Sequence, residues 1–350
     1  MRVGFAPALA LLCALLATTM HAGTVRAEPL EGEEPIAITT RALPHFFRAG
    51  FGDSGALRYL GGLALSSHDP HLGGLSGIRF DGERFYAISD TGLWLTGRLV
   101  TDETGRPLSI EEATIAPLRD ERGEPLLGKD GGDAEGLEFI GTGEQMEALV
   151  SFERRMPIRR YALGRQGLDA PGRLIPVPAV LGRLRYNRGL EAIAHISEGP
   201  LQGLTIVIAE QTLDANGHLR AAAMGARGFG FSVRRTDDYD VTDAAMLPGG
   251  DLIILERRFA LSEGVRMRMR RIAAGAIAPG SLADGAVLIE ADMRSVIDNM
   301  EGLAVTDTPE GPILTLLSDD NHNFFQRTII LRFRLVGEGS FNVPAPAPRP

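Results

Sequence analysis

The chain has 350 residues, of which 44% are hydrophobic and 23% are charged, with a formal net charge of −9. These values are typical of a globular protein and exclude a disordered or collagen-like chain. Lys129 is the only lysine and Asp130 follows it, which excludes a P-loop, because that motif needs Ser or Thr after the lysine. An acidic chain without a long basic stretch is also a poor nucleic-acid binder, so we expect no nucleic-acid partner.

The first 27 residues have the pattern of a secretory signal peptide. Arg2 precedes an almost wholly apolar stretch over residues 3–20, and Val25–Ala27 resembles a cleavage site. We therefore expect export to the periplasm or beyond the cell, and no membrane span once residues 1–27 are removed. The alternative is a membrane anchor, for which the apolar stretch is marginal.

Five segments with a common layout follow one another at spacings of 52 to 59 residues. Each begins with a Glu-Gly-Leu-like triplet, continues through a Gly- or Pro-containing turn, and then has an apolar strand that ends in an acid. The triplets begin at Ser76, Glu135, Glu191, Asp243 and Glu301. The apolar strands are predicted over 85–90, 147–153, 204–210, 252–256 and 313–320, and third strands over 93–99, 158–163, 228–235, 265–272 and 328–335.

Short strands with Gly and Pro turns, and no long segment of helical periodicity, predict an all-β protein. A repeat of three or four strands over 50–60 residues is typical of a β-propeller blade. Length divided by repeat predicts about six blades, the sixth built from residues 36–65 and the C-terminal end. Joining the termini in one blade closes the ring and removes open sheet edges. The predicted organisation is one propeller domain over 28–342, followed by a Pro-rich tail over 343–350.

The acids at the repeat positions are the candidate metal ligands. The first strand of each blade lines the central channel of a propeller, so Glu135, Glu191, Asp243 and Glu301 are expected to converge there. Closely packed carboxylates raise one another's pKa, and a hard cation such as Ca²⁺, which prefers six to eight oxygen ligands, relieves the repulsion. The competing interpretation is that each glutamate is a solvated strand start.

Further candidates lie at the ends of the second strands. Asp90, Asp319 and Asp320 are candidate general bases. A second acidic ring would be formed by Asp90, Glu153, Glu210, Glu256 and Asp319-Asp320. Positive side chains close to these acids could hold an anionic substrate, and the candidates are Arg154, Arg188, Arg257 and His322. The alternative is that each arginine only pairs with a neighbouring acid. Ser76 lacks the context of a nucleophile elbow, because a strand follows it.

One strand carries alternating arginines. Arg266, Arg268 and Arg270 alternate with Val265, Met267 and Met269. We interpret this period of two as a blade strand with one face in solvent, and the alternative is a site for polyanions.

Taken together, these motifs resemble the bacterial phytase-like family, which is described as having esterase-like activity. The resemblance covers roughly residues 70–335 and rests on Gly74–Ile78, Phe85–Asp90, Asp133–Leu137, Asn187–Glu191, Asn299–Leu303, Leu317–Asn321 and Gln326–Thr328. It implies an exported β-propeller that hydrolyses phosphoesters or esters. The chain departs from the pattern at Asp243–Ala245, which has no glycine, and at Ser76, which replaces the acid.

The sequence therefore predicts a monomeric propeller hydrolase that acts on a small anionic phosphoester or ester, assisted by Ca²⁺ at an acidic channel. One alternative is a periplasmic propeller that binds a ligand or partner and has structural calcium. Another is a calcium-dependent lactonase-like hydrolase, since propeller lactonases also place a Glu-Gly-Leu glutamate on a channel metal.

Overall fold

The computed structural model describes residues 30–47, 53–54, 56–154, 158–182, 184 and 189–337. The predicted signal peptide, Arg188 and the Pro-rich tail lie outside these residues. Among the described residues, no helix is long and apolar enough to cross a bilayer. The two α-helices, α1 (Lys129–Gly132) and α2 (Leu163–Gln166), have four residues each.

The strands begin with an N-terminal region and continue into two blades. The N-terminal region contributes β1 (Glu34–Pro35), β2 (Thr39–Leu43), β3 (Asp53–Ser54) and β4 (Leu57–Ser66). Blade 1 contains β5 (Leu75–Asp81), β6 (Arg84–Ser89), β7 (Leu93–Thr101) and β8 (Pro107–Pro117). Blade 2 contains β9 (Ala134–Ile140), β10 (Glu147–Phe152), β11 (Ile158–Tyr161) and β12 (Arg173–Ile175).

The remaining strands form three further blades. Blade 3 contains β13 (Leu190–His195), β14 (Thr205–Leu213), β15 (Leu219–Met224) and β16 (Phe229–Val233), with β20 (Leu282–Ala283) added at its edge. Blade 4 contains β17 (Asp240–Met246), β18 (Leu252–Ala260), β19 (Gly264–Ile272) and β21 (Ala286–Ala291). Blade 5 contains β22 (Asn299–Thr306), β23 (Ile313–Asp319) and β24 (Ile329–Leu335). Short 3₁₀ helices lie at Gly143–Gln145, Gly167–Asp169, Ala179–Leu181 and Ala274–Ala276.

The described residues form a β-propeller of five blades, so the predicted all-β propeller is confirmed and the predicted count of six is wrong. The segment expected to start a sixth blade supplies the outer strands of blade 5. There β4 pairs antiparallel with β24, and β2 pairs with β4. Strands from both ends of the domain thus complete one sheet, which is the predicted closure of the ring.

The strand predictions hold in four blades and fail in part in blade 3. Its third strand is β15, which the sequence analysis missed, and the segment predicted there, 228–235, contains the fourth strand β16. β15 is alanine-rich, and alanine is depleted in strands. Its sequence therefore gave only a weak indication of a strand.

The hydrophobic core lies between adjacent blades. Between blades 1 and 2, for example, Ile88 and Trp94 pack with Val150 and Tyr161, and all four are fully buried. The Trp94 and Tyr161 rings meet edge to face at 5.6 Å between centroids, a favoured aromatic geometry. Because each blade packs on two neighbours, the inner strands β5, β9, β13, β17 and β22 are held around the central channel.

Candidate metal centre and active site

Each inner strand has a β-bulge at the same end of the channel, which we call the mouth. In three blades the extra residue occupies the first position of the triplet, at Ser76, Glu191 and Glu301, and in blade 2 Glu135 and Gly136 together lie opposite Ser151. A bulge bends the strand and re-aims the side chain at that point. The bulges therefore explain how a residue at the start of a channel strand can turn its carboxylate toward the mouth.

Blade 4 is out of step with the other blades by one residue. Its bulge lies at Thr242, so Asp243 occupies the position of the triplet glycine. The same shift affects the second strand, where Glu256 pairs with Val241 inside the ladder and Arg257 follows at the ring position. Our alignment of Asp243 and Glu256 with the acids of the other blades is therefore wrong, because one residue of register turns each side chain over.

Five carboxylates from blades 2 and 3 meet at the mouth, and we call them the acidic cluster. Within each of two overlapping groups, carboxylate oxygens lie within 4.8 Å of one another. One group is Asp133, Glu135 and Glu153, and the other is Glu153, Glu191 and Glu210. Two predicted metal ligands, Glu135 and Glu191, are in the cluster, and Glu153 links the two groups.

The acidic cluster has strongly perturbed pKa values. Burial raises the pKa of Glu135 and Glu191 well above the usual range, and the neighbouring carboxylates raise both further. Burial and a hydrogen bond with Asp133 raise the pKa of Glu153 to about 7. Burial also raises the pKa of Asp133, whose Oδ2 accepts a hydrogen bond from Arg154 Nε at 2.9 Å. Glu153, which belongs to both groups, is therefore the member of the cluster that titrates near neutral pH.

Glu301, the third predicted ligand at the mouth, is paired with an arginine. Arg257 Nη1 lies 3.2 Å from Glu301 Oε1 and also donates to the side-chain oxygen of Asn299. Asn299 Nδ2 in turn donates to Asp319 Oδ2 at 3.3 Å. Burial raises the pKa of Asp319 to about 7, although the backbone N–H of Asn321 opposes the shift. This side of the mouth thus combines an anion-binding group with an acid that titrates near neutral pH.

Asp90 closes the mouth on the blade 1 side. Its Oδ2 lies 2.6 Å from Lys129 Nζ, while its Oδ1 is buried and has no hydrogen-bond partner among the described residues. The Cβ of any residue other than glycine at Gly74 would lie 2.2 Å from Oδ1, and the φ of Gly74 is +62°. Gly74 thus leaves room for a carboxylate oxygen that has no partner within the described part of the protein.

Asp320, a predicted general base, fixes the loop that follows β23. Its Oδ1 accepts hydrogen bonds from the backbone N–H groups of Gly74 and His322, and its Oδ2 accepts one from Thr328. His322, with φ of +48°, is held so that its Nε2 lies 4.0 Å from Asp90 Oδ1. With both oxygens engaged, Asp320 is better suited to holding the loop than to accepting a proton.

The fourth predicted ligand, Asp243, lies in the channel in contact with Arg79. The Arg79 guanidinium donates to both carboxylate oxygens of Asp243, at 3.0 and 3.2 Å, and to Glu138 at 3.2 Å. It also donates to backbone carbonyls of Ile78, Ile193, Ala244 and Leu303. One side chain from blade 1 thereby contacts the inner strands of all four other blades and crosses the channel.

The structure therefore brings most of the predicted site residues to one mouth. Glu135, Glu191, Glu301, Asp90 and Asp319 lie there with Arg154 and Arg257, and Asp243 is the residue it places apart. Arg188 lies outside the described residues. Sequence reasoning missed Asp133 and Lys129 as mouth residues and Arg79 in the channel. A single arginine in an apolar strand gives no sign that it spans the channel, whereas Lys129 could have been noticed as the only lysine.

The fold and site together define a β-propeller with a group of acidic side chains at one mouth of its channel. Arg154, Arg257 and Lys129 lie beside these acids. The sequence matches the phytase-like family, described as esterase-like activity of phytase, over residues 70–322. The chain belongs to this family. No curated protein sequence matches it.

Several solved structures are similar in overall fold. A thermostable family-43 glycoside hydrolase has 10% identity and a TM-score of 0.44, covering 80% of this chain and 98% of its own. A family-43 enzyme from Xanthomonas citri complexed with xylose has 9% identity and a TM-score of 0.43, covering 78% and 94%. An α-L-arabinanase from Cellvibrio cellulosa has 12% identity and a TM-score of 0.42, covering 72% and 89%. At such scores these similarities add nothing to the assignment of function.

Proposed function

We propose that this protein is an exported hydrolase that cleaves a small anionic phosphoester or ester with the help of Ca²⁺ at the acidic cluster. The observation that carries the proposal is the meeting of five carboxylates from two blades, where burial and the neighbouring acids raise the pKa of Glu135 and Glu191. Perturbed titratable groups concentrate at functional sites. The esterase-like description of the family supports the reaction class.

The acidic cluster fits a hard divalent cation. All its donors are carboxylate oxygens, which Ca²⁺ prefers at about 2.3–2.6 Å. Two ligands of one such ion lie at most about 5 Å apart, and the oxygens in each group lie within 4.8 Å. Either group, Asp133, Glu135 and Glu153 or Glu153, Glu191 and Glu210, would hold an ion, and Glu153 belongs to both. When bound, the ion would polarise a phosphoryl or acyl oxygen and lower the pKa of a water.

The protein's own cations would hold the substrate. Arg154 is paired with Asp133 of the acidic cluster, Arg257 with Glu301, and Lys129 with Asp90. Burial lowers the pKa of Lys129, but the hydrogen bond and charge of Asp90 outweigh burial and raise it. Lys129 therefore stays charged. Guanidinium groups bind phosphate or carboxylate through paired hydrogen bonds.

Asp319 and Asp90 are the proposed proton-transfer groups. A pKa of about 7 at Asp319 leaves both protonation states populated at neutral pH, which suits a general acid or base. Asp90 offers the unpartnered Oδ1 at the mouth. In this account Asp319 would carry the proton, and Asp90 would orient Lys129 or a water.

Turnover assays with matched variants test the proposal. The protein is assayed with and without Ca²⁺ on aryl phosphates, phytate, aryl esters and lactones. We expect Ca²⁺-dependent turnover that Glu191→Gln abolishes and that Glu144→Gln, at an exposed position remote from the mouth, leaves unchanged. Absence of turnover on every substrate, or turnover indifferent to both EDTA and Glu191→Gln, would refute it.

A second candidate is a ligand- or partner-binding propeller in which calcium is structural. It is favoured by the position of the acidic cluster, which joins residues of blades 2 and 3, so a bound ion would clamp two blades. This alternative predicts that Ca²⁺ raises the melting temperature without any substrate being hydrolysed.

A further inference from the structure

A cavity lies beside the mouth, and His322 is close to both. The cavity has a volume of about 440 Å³ and lies between the loop after β23 and the strands β2 and β4 of blade 5. Cavities of this size hold small organic ligands. His322 lines the cavity, and its Nε2 lies 4.0 Å from Asp90 Oδ1 at the mouth. The cavity therefore adjoins the mouth at His322.

The polar side of the cavity contains two arginines and one carboxylate. Arg41 lines it and is exposed, and its guanidinium makes no hydrogen bond or ion pair in the described part of the chain. Arg327 also lines it, and Asp298 and the carbonyl of Ile297 fix its guanidinium. The acid among the lining residues, Asp320, has both oxygens engaged in hydrogen bonds. Arg41 thus has no counter-charge among the described residues, whereas Arg327 is paired with Asp298 and the Asp320 carboxylate adds a negative charge to the lining.

The other side of the cavity is apolar. Leu65 and Leu72 line its wall, and Phe324 lines the loop side. Phe324 is 96% exposed and meets the ring of Phe325, which is 88% exposed, edge to face at 5.7 Å. Large apolar side chains this exposed gain from burial against a ligand. Arginine beside an exposed aromatic ring suits a flat group that carries a negative charge.

We propose that this cavity binds the non-reacting end of the substrate, and that this end is an aromatic or apolar group bearing a carboxylate or similar anion. The inference rests on the proposed function, because it narrows the substrate class of the same mouth. The anion would pair with Arg41 and Arg327, and the ring would lie against Phe324 and Leu72.

A tryptophan placed at the cavity makes binding measurable without turnover. The chain has one tryptophan, Trp94, which is fully buried, so Phe324→Trp adds a reporter over a constant background. The probe is 4-nitrobenzoate, a carboxylate that quenches tryptophan, and its neutral isostere 4-nitrobenzamide is the matched ligand. Titrations are done in EDTA with Phe324→Trp alone and combined with Arg41→Gln, Arg327→Gln or, as control, the exposed Arg227→Gln.

The proposal predicts saturable quenching by 4-nitrobenzoate. Loss of one charge-assisted pair with the carboxylate should weaken binding about tenfold to a hundredfold in Arg41→Gln and in Arg327→Gln. Arg227→Gln should change nothing, and 4-nitrobenzamide should bind far more weakly. No saturation up to about 10 mM, well beyond the millimolar range of weak ligands, would overturn the proposal. The proposal would also be overturned if the protein bound 4-nitrobenzoate and 4-nitrobenzamide equally tightly. The same holds if Arg41→Gln and the control Arg227→Gln bound 4-nitrobenzoate equally tightly.

The same titration separates this inference from the proposed function. Glu191→Gln should bind 4-nitrobenzoate like the parent protein, since its carboxylate does not line the cavity. If no ester is ever hydrolysed but the arginine-dependent binding holds, the proposed function fails and the cavity remains an anion site. If esters are hydrolysed and the arginine dependence is missing, only the cavity assignment fails.

Discussion

The channel contains two groups of buried acids that differ in how their charge is balanced. In the channel layer, Asp243 and Glu138 share the guanidinium of Arg79, and Asp243 also accepts the backbone N–H of Leu303. In the acidic cluster at the mouth, carboxylates face other carboxylates. Burial raises the pKa in both groups, but in the channel layer Arg79 counteracts the rise, whereas at Glu135 and Glu191 neighbouring acids increase it.

This difference separates a structural arrangement from a functional one. A buried charge whose hydrogen bonds are satisfied holds a structure in place, and removing one partner is costly. Buried like charges weaken the fold and are characteristic of sites that bind a ligand. Substitutions in the two groups should therefore have opposite effects on stability.

The largest expected effect comes from the channel layer. Arg79→Met leaves Asp243 and Glu138 buried without a counter-charge, which should lower the free energy of unfolding by about 3–5 kcal/mol. Urea unfolding measures this, with Arg227→Met as the exposed control. A loss below about 1 kcal/mol, the size expected at a surface position, would show that Arg79 does not hold the blades together.

Calcium should stabilise the protein through the acidic cluster. A ligand that binds only the folded state adds about 2.7 kcal/mol at a hundredfold excess over Kd. Thermal unfolding in EDTA and then in Ca²⁺ should show a rise in Tm that Glu135→Gln and Glu153→Gln remove. The channel variant Asp243→Asn, if it folds, should still show the rise in Tm with Ca²⁺. If Asp243→Asn abolished that rise, the distinction between the channel layer and the acidic cluster would be contradicted.

The metal-free protein should lose stability as pH rises. Glu153 and Asp319, with pKa values of about 7, bind more protons in the folded than in the unfolded chain. Since unfolded carboxyls titrate near pH 4, the free energy of unfolding falls between about pH 4 and 7. In EDTA, Tm should drop by several degrees from pH 5 to pH 8, and Glu153→Gln should flatten the curve. A Tm that rises over this interval would contradict the account.

The smallest expected effect is a gain of stability. Without metal, Glu191→Gln removes one of the repelling carboxylates at pH 8, so the free energy of unfolding should rise by about 1 kcal/mol, as other single stabilising changes do. Chemical denaturation in EDTA measures it, with Glu144→Gln as control. A destabilised Glu191→Gln would mean that this carboxylate supports the fold, as Asp243 does.

The sequence was most informative where the repeat is regular. The triplets at Glu135, Glu191 and Glu301 predicted inner strands and a shared channel position, because each carries a bulge. It overcounted the blades because residues 36–65 were counted toward a sixth blade, whereas β4 pairs with β24 and completes blade 5. Strand pairing between the two ends of a chain leaves no local pattern.

Blade 4 shows why the positions of some candidate residues could not be predicted from the sequence. Nothing in the sequence of blade 4 shows that the bulge lies at Thr242 rather than at Asp243. The arginine strand misled us in the same blade. Arg268 and Arg270 are not on a solvent face but are buried, with both guanidinium groups on Glu256. Alternation along a strand shows that two faces differ, but whether the second face meets water or another blade depends on tertiary packing.

The central claim is that the acidic cluster binds a divalent cation, and calcium titration by calorimetry tests it most directly. The metal-free protein should bind Ca²⁺, Glu153→Gln should bind far more weakly because Glu153 belongs to both carboxylate groups, and Glu144→Gln should match the parent. Absence of binding by the parent protein, or binding that Glu153→Gln leaves intact, would contradict the account.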